Sequence, residues 1–222
     1  MSRNIIAFVA GALLLAPAAA HATVMEGDFS GTINSPSGGS DVTGVFGDSP
    51  GTDLSGDPVT GTFTYNTALL SQVVSGGTNT ATGTGLGALT VTLTINGVNY
   101  TFTDNTSASI YLDTNVSEAT IQNANTTGGS NDSFYLDASD LFTPFITSTD
   151  LTATWTTTNP FSSNGVFTID DPGAQASGSF TLGTFEVTGQ APSATPEPAS
   201  MALLGVGLAG IAAIRRRRGG VG

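Results

Sequence analysis

Leu89-Thr-Val-Thr-Leu-Thr-Ile95, then Asn96-Gly97, then Val98-Asn-Tyr-Thr-Phe102, is the stretch that decides the fold class. Apolar and polar residues alternate strictly on both sides of Asn-Gly. That period of two is the pattern of a half-buried strand. Asn-Gly is the strongest short hairpin signal, because both central positions of a type I′ turn require positive φ. The register follows from the turn: Ile95 opposite Val98, Leu93 opposite Tyr100, and Val91 opposite Phe102. One face of this hairpin is apolar and the other is threonine.

Working outward, the same alternation predicts strands over Phe29–Ile33, Val59–Tyr65, Ser109–Leu112 and Ser133–Asp137. It also predicts Leu151–Thr156, with Trp155 inward, then Val166–Ile169 and Ser177–Val187. In the last of these the apolar phase shifts between Leu182 and Phe185, which predicts a bulge near Gly183. A short phrase recurs at Phe29-Ser-Gly-Thr-Ile33, Val59-Thr-Gly-Thr-Phe63 and Ala176-Ser-Gly-Ser-Phe180. Many short strands and no long amphipathic stretch predict an all-β fold, an antiparallel β-sandwich or jelly roll over residues 23–190. Ser35–Asp57 and Ser71–Gly87, rich in Gly, Ser, Thr and Asp, read as loose spacer.

Composition restricts the chemistry. The chain has five Lys+Arg, 17 Asp+Glu, one His and no Cys. The arginines lie at position 3 and at 215–218, there is no lysine, and the histidine is His21. Residues 23–195 therefore carry every acidic residue except Glu197, and no cation. Ser-His-Asp and Cys-His catalysis lack their base or thiol. Zinc sites lack ligands, and nucleic-acid binding lacks cations. The expectation is a non-enzymatic domain that holds together without disulfides.

Two site chemistries remain. Calcium takes carboxylate and carbonyl oxygen, and its candidate ligands are Asp137, Asp140, Asp170 and Asp171, then Asp113 and the loop pair Asp53 and Asp57, in no recognised calcium-loop pattern. A structural calcium is thus a candidate, and no other cofactor is expected. Polysaccharide would need exposed aromatic platforms. Tyr65, Tyr100 and Trp155 lie in phase with the apolar side of their strands and read as core. Tyr111 and Tyr135 lie out of phase, so they are the candidate platform. A glycosidase needs two opposed carboxylates, and no strand carries an acid cluster; that reading has the least support.

The two ends read as addresses. Residues 1–22 have a basic start at Arg3, an apolar core from Ile5 to Leu15, and Ala20-His-Ala22. This is the plan of a secretory signal peptide cleaved after Ala22. At the other end, residues 191–198 form a Pro-containing linker with Pro196-Glu197-Pro198. Residues 199–214 form an apolar segment, and Arg215-Arg216-Arg217-Arg218 opens the basic tail at 215–222. As a helix, residues 199–214 span about 24 Å, short of the ~20 residues a bilayer core usually needs. Membrane insertion gains only about 2 to 4 kcal/mol. The arginines fix the orientation, with the tail cytoplasmic and the domain outside. The expectation is a single, weak C-terminal transmembrane helix.

Thr195-Pro-Glu-Pro-Ala-Ser, then Leu-Leu-Gly-Val-Gly-Leu-Ala-Gly, then the four arginines, closely resembles the PEP-CTERM sorting signal of Gram-negative bacteria. The resemblance implies processing by an exosortase and an association with exopolysaccharide and biofilms. It covers about residues 195–218. The expected protein is exported, anchored transiently in the inner membrane with its domain periplasmic, and then placed at the cell surface or outside the cell. Its expected role is structural, in the surface or matrix. The alternative is a carbohydrate-binding module for extracellular polysaccharide, with or without calcium.

Overall fold

A computed structural model describes residues 23–35, 38–103, 106–126 and 129–191. The strands are β1 Val24–Ile33, β2 Gly39–Asp41, β3 Thr52–Asp53, β4 Pro58–Asn66, β5 Ser71–Ser75, β6 Thr78–Gly83 and β7 Leu89–Ile95. They continue as β8 Val98–Phe102, β9 Ser107–Asp113, β10 Glu118–Asn125, β11 Asp132–Ser139, β12 Trp155–Thr158, β13 Ser162–Asp171 and β14 Ala174–Gln190. The deciding hairpin is β7–β8. Its pairs are Ile95 with Val98, Leu93 with Tyr100 and Val91 with Phe102. Asn96 and Gly97 take φ of 52° and 77°, the signs the type I′ turn demands.

The all-β, antiparallel expectation holds. In place of the two separate sheets of a sandwich, the strands follow one hydrogen-bonded path: β5-β6-β9-β10-β11-β13-β14-β1-β4-β7-β8, with β12 and the β2–β3 pair attached along β14. The path curls until β7 and β8, at one end, meet β10 and β11 across the core. The Phe102 ring of β8 lies 5.3 Å from Phe134 of β11, and Phe134 lies 5.4 Å from Phe29 of β1. The buried amide of Asn123 on β10 donates to the carbonyls of Leu89 and Phe102, both 3.2 Å away. A single curled sheet thus encloses the core, and tilted aromatic pairs of this kind each add about 0.5–1.5 kcal/mol beyond their buried area.

The recurring phrase has a packing cause. Its glycines face inward, and a phenylalanine of the neighbouring strand lies over each. Gly61 pairs with Phe29, and a Cβ built on it would stand 2.2 Å from that ring. Gly178 pairs with Phe167, whose ring would be 2.6 Å away. Gly31 would meet Phe180 at 3.0 Å and the Thr181 carbonyl at 2.4 Å. Gly27 beneath Phe63 and Gly165 beneath Phe180 repeat the arrangement outside the phrase, each at 2.2 Å. The large ring occupies the space its glycine partner leaves, so the pair keeps the packing density that interiors require.

Several strand expectations need correction. Ser35–Asp57 is not spacer: it holds β2 and β3, and Phe46 and Leu54 are fully buried. Its turn hangs from buried Asp41, whose carboxylate accepts the backbone N–H groups of Gly44, Val45 and Phe46 at 2.8, 2.7 and 2.8 Å. Ser71–Gly87 contains the β5–β6 hairpin. Leu151–Thr156 is strand only from Trp155, since Leu151 and Thr152 lie in a turn. Strand β10 went unpredicted, because its inward row of Ala119, Ile121 and Asn123 contains only one large apolar side chain. The bulge is where the phase shift put it: Ser30 pairs with Thr184 and Gly31 with Leu182, leaving Gly183 over.

Strand β14 ties the sheet together. Its first half pairs with β13 and β2, and its second half with β12 and β1. Met25 pairs with Gln190, and the Ala191 N–H donates to the Val24 carbonyl at 2.8 Å. The two ends of the described chain therefore leave side by side.

Candidate functional site

The outer face of β6, β9, β10, β11 and β13 is a polar surface whose rows follow from register. One row is Thr80, Tyr111, Thr120, Asp137 and Asn164; the next is Thr82, Ser109, Gln122, Tyr135 and Val166. On the other side of the first row lie Thr78, Asp113, Glu118 and Ser139. Tyr111 and Tyr135 are both half-buried and share this face. Two strand spacings and a two-residue offset separate their backbones by about 12 Å. The inward residues between them, Ile110, Leu112, Phe134 and Leu136, are buried, so the outward placement of the tyrosines is a consequence of alternation.

Three carboxyl groups sit among these tyrosines. The Thr120 hydroxyl donates to Asp137 Oδ1 at 3.1 Å and approaches Glu118 Oε1 at 3.4 Å. Burial, and then the charge of Asp137, push the Glu118 carboxyl above its ordinary range. Burial also raises Asp137. Asp113 goes the other way: the Asn115 N–H at 2.6 Å leads the effects that lower it. The Tyr111 hydroxyl donates to Asp113 Oδ2 at 3.0 Å, and burial together with that bond raises the phenol. Glu118 and Asp137 flank the same Thr120 hydroxyl from adjacent strands. They are not opposed across the ~5 Å or more that hydrolysis of a glycosidic bond requires. The face offers hydroxyls, amides, carboxyl groups and two tyrosine rings.

The calcium candidates do not converge: Asp53 accepts from Ser55, and Asp113 from Tyr111 and Asn115. Asp137 belongs to the outer face. Asp140 caps the turn after β11, accepting N–H groups of Phe142 and Thr143 at 2.9 and 2.8 Å. Asp170 accepts the Gln175 amide at 3.0 Å, while Asp171 accepts the Tyr100 hydroxyl at 2.6 Å. Adjacent strand residues point to opposite sides, which separates the Asp170 carboxylate from that of Asp171. Among the described residues no cluster of three or more acidic side chains is arranged for a metal ion.

A second polar centre escaped the sequence reading. The Tyr100 hydroxyl reaches Oδ2 of Asp132 at 2.9 Å as well as Asp171, beside a cavity of about 260 Å³ that Thr101, Ser130 and Asn125 also line. Tyr100 is accordingly half-buried rather than core. Tyr65 and Trp155 are buried as expected, and the Tyr65 hydroxyl donates to the Leu151 carbonyl. Tyr100 and Asp171 are 71 positions apart, and no local spacing announces their meeting.

The address segments lie outside the described residues. These are the signal peptide with Ala20 and Ala22, Pro196-Glu197-Pro198, the apolar segment 199–214 and Arg215–Arg218. Among the described residues no helix is long and apolar enough to cross a membrane. No curated protein matches this chain, and no solved structure does. A family model matches at the C terminus rather than on the sheet: residues 194–218 carry the PEP-CTERM protein-sorting motif, which marks the chain as an exported protein targeted to an exosortase.

Proposed function

We propose that this chain is a non-enzymatic structural protein of the cell surface or extracellular matrix, released or transferred there after cleavage near Pro196-Glu197-Pro198. The sorting motif at 194–218 is the observation that carries the reading. Composition supports the structural role. From residue 23 to the motif the chain has no His, Cys, Lys or Arg, so it lacks the side chains on which most nucleophilic and general-base catalysis depends. The apolar segment before the arginines holds the chain briefly in the inner membrane, with the sheet in the periplasm. Intact-mass spectrometry tests this in cells with and without the processing enzyme. The expected product begins at Thr23 and lacks Arg215–Arg218 only when the enzyme is present. A product that keeps its arginines in both strains overturns the reading.

The alternative is a module that binds extracellular polysaccharide. The outward placement of Tyr111 and Tyr135 among hydroxyls and carboxyls favours it. Ring faces stack on sugars, and the surrounding oxygens exchange hydrogen bonds with sugar hydroxyls.

A further inference from the structure

We propose that strand β5 is a self-association edge, pairing antiparallel with β5 of a second copy so that the curled sheet continues from one molecule into the next. Among the described residues β5 ends the path and pairs only with β6. All five of its residues are exposed, Val73 at 69% and Val74 at 61%. Such an edge presents a row of backbone donors and acceptors that only another strand satisfies in register. Proteins that avoid this contact blunt the edge with charge, proline or a bulge. Ser71-Gln-Val-Val-Ser75 carries none of these.

Charge distribution selects the occupant. Between Asp57 and Asp104 there is no charged residue, and β5 lies inside that stretch. Two copies of so acidic a chain repel over most of their surface, but they can meet here without opposing carboxylates. The sequence also fits a two-fold axis, in which one patch must complement itself. Centred on Val73, the pairing sets Val73 against Val73, Ser71 against Ser75 and Gln72 against Val74. A five-residue edge is small against the ~1,200 Å² of the smallest stable interfaces. Pairing is therefore expected where copies are crowded, as on a membrane, and weak in dilute solution.

The chain has no cysteine, so one introduced thiol reports the contact cleanly. The full chain bearing Val73→Cys is expressed, its membranes are isolated and oxidised with diamide, and dimer is read on a non-reducing gel. Residues directly opposed on antiparallel strands bring Cα atoms to about 4.5–5.5 Å, within disulfide reach. A dominant dimer is expected for Val73→Cys, and at least a fivefold weaker band for Asn99→Cys on β8, the other end of the path. A second variant, Val73→Cys with Val74→Pro, should lose the dimer. Equal cross-linking of both single cysteines, no dimer from Val73→Cys, or a dimer that survives proline each overturns the proposal. A dimer formed only when Val73→Cys and Asn99→Cys chains are mixed also overturns it, in favour of head-to-tail pairing. Expression in cells that lack the processing enzyme keeps the C-terminal signal whole, so the result does not depend on its cleavage.

Discussion

The Tyr100 hydroxyl stands 2.6 Å from Oδ2 of Asp171, joining the last strand of the sheet to the far end of β13. The same oxygen lies 2.9 Å from Asp132, so one phenolic proton faces two carboxyl groups. No cationic side chain lies between residues 23 and 191, and a second proton relieves the repulsion between them. Burial leads the effects that push Asp132 up, and Asp171 adds to them. Hydrogen bonds from Ser130 and Tyr100 hold Asp171 below its usual range.

A carboxyl raised on folding contributes stability that is present below its unfolded pKa of ~3.9 and is lost as pH rises through the folded value. Asp132 therefore weakens the fold over a window that opens near pH 4 and extends upward. Asp171 has the opposite sign, and its contribution disappears only below that window. Asp132→Asn, which supplies an N–H donor to Asp171 at every pH, should raise the Tm at pH 7 by a few degrees and leave it unchanged near pH 4. Tyr100→Phe should cost about 1–3 kcal/mol, more at pH 7 than at pH 4. Calorimetry at the two pH values checks both; a pH-independent effect of Tyr100→Phe contradicts the shared-proton arrangement.

Gly61 lies beneath the Phe29 ring, with no room for a methyl group. Gly61→Ala should destabilise by about 1–3 kcal/mol through displacement of the ring. Thr62→Ala, one residue along and exposed, should stay within ~0.5 kcal/mol. Urea unfolding of the two variants measures the contrast.

Trypsin cuts after lysine and arginine, and residues 23–191 contain neither. The protein should give no tryptic fragment ending inside this range, even when unfolded in urea. Mass spectrometry of the digest checks this; chymotrypsin on unfolded protein is the positive control.

Millimolar calcium should leave the melting temperature within a degree of its value in EDTA, because Asp137, Asp140, Asp170 and Asp171 engage different partners. Scanning fluorimetry decides this.

On the polysaccharide reading, Tyr111→Ala or Tyr135→Ala should lower binding to exopolysaccharide at least fivefold in affinity electrophoresis. Both variants should keep the parent's melting profile.

Local periodicity made most of the sheet legible. The β7–β8 register was readable residue by residue, because an Asn-Gly turn and strict alternation leave no second solution. The bulge at Gly183 was readable from a slip in phase. Strand β10 was not, because its core-facing Asn123 is satisfied by carbonyls across the core, a contact set by the curl of the sheet. Asp41 was hidden for a related reason: it anchors a turn rich in Gly and Asp, and such a composition reads as spacer until the buried carboxylate is seen. Tyr111 and Tyr135 were placed correctly on the outside by alternation. Their gathering around Glu118 and Asp137 depends on the order of β9, β10 and β11, which alternation does not encode.

Val24 and Ala191 are hydrogen-bonded neighbours, so the molecule stands on one foot. The hairpin turn at Asn96, with Asp48 and Asp57 bonded to its amide at 2.7 and 3.1 Å, lies at the opposite pole, about 33 Å away along β1. This acidic tip lies at the end of β1 remote from Ala191. A pull on the tail enters at the C-terminal end of β14 and is shared at once by β1 and β12, before any other strand bears load.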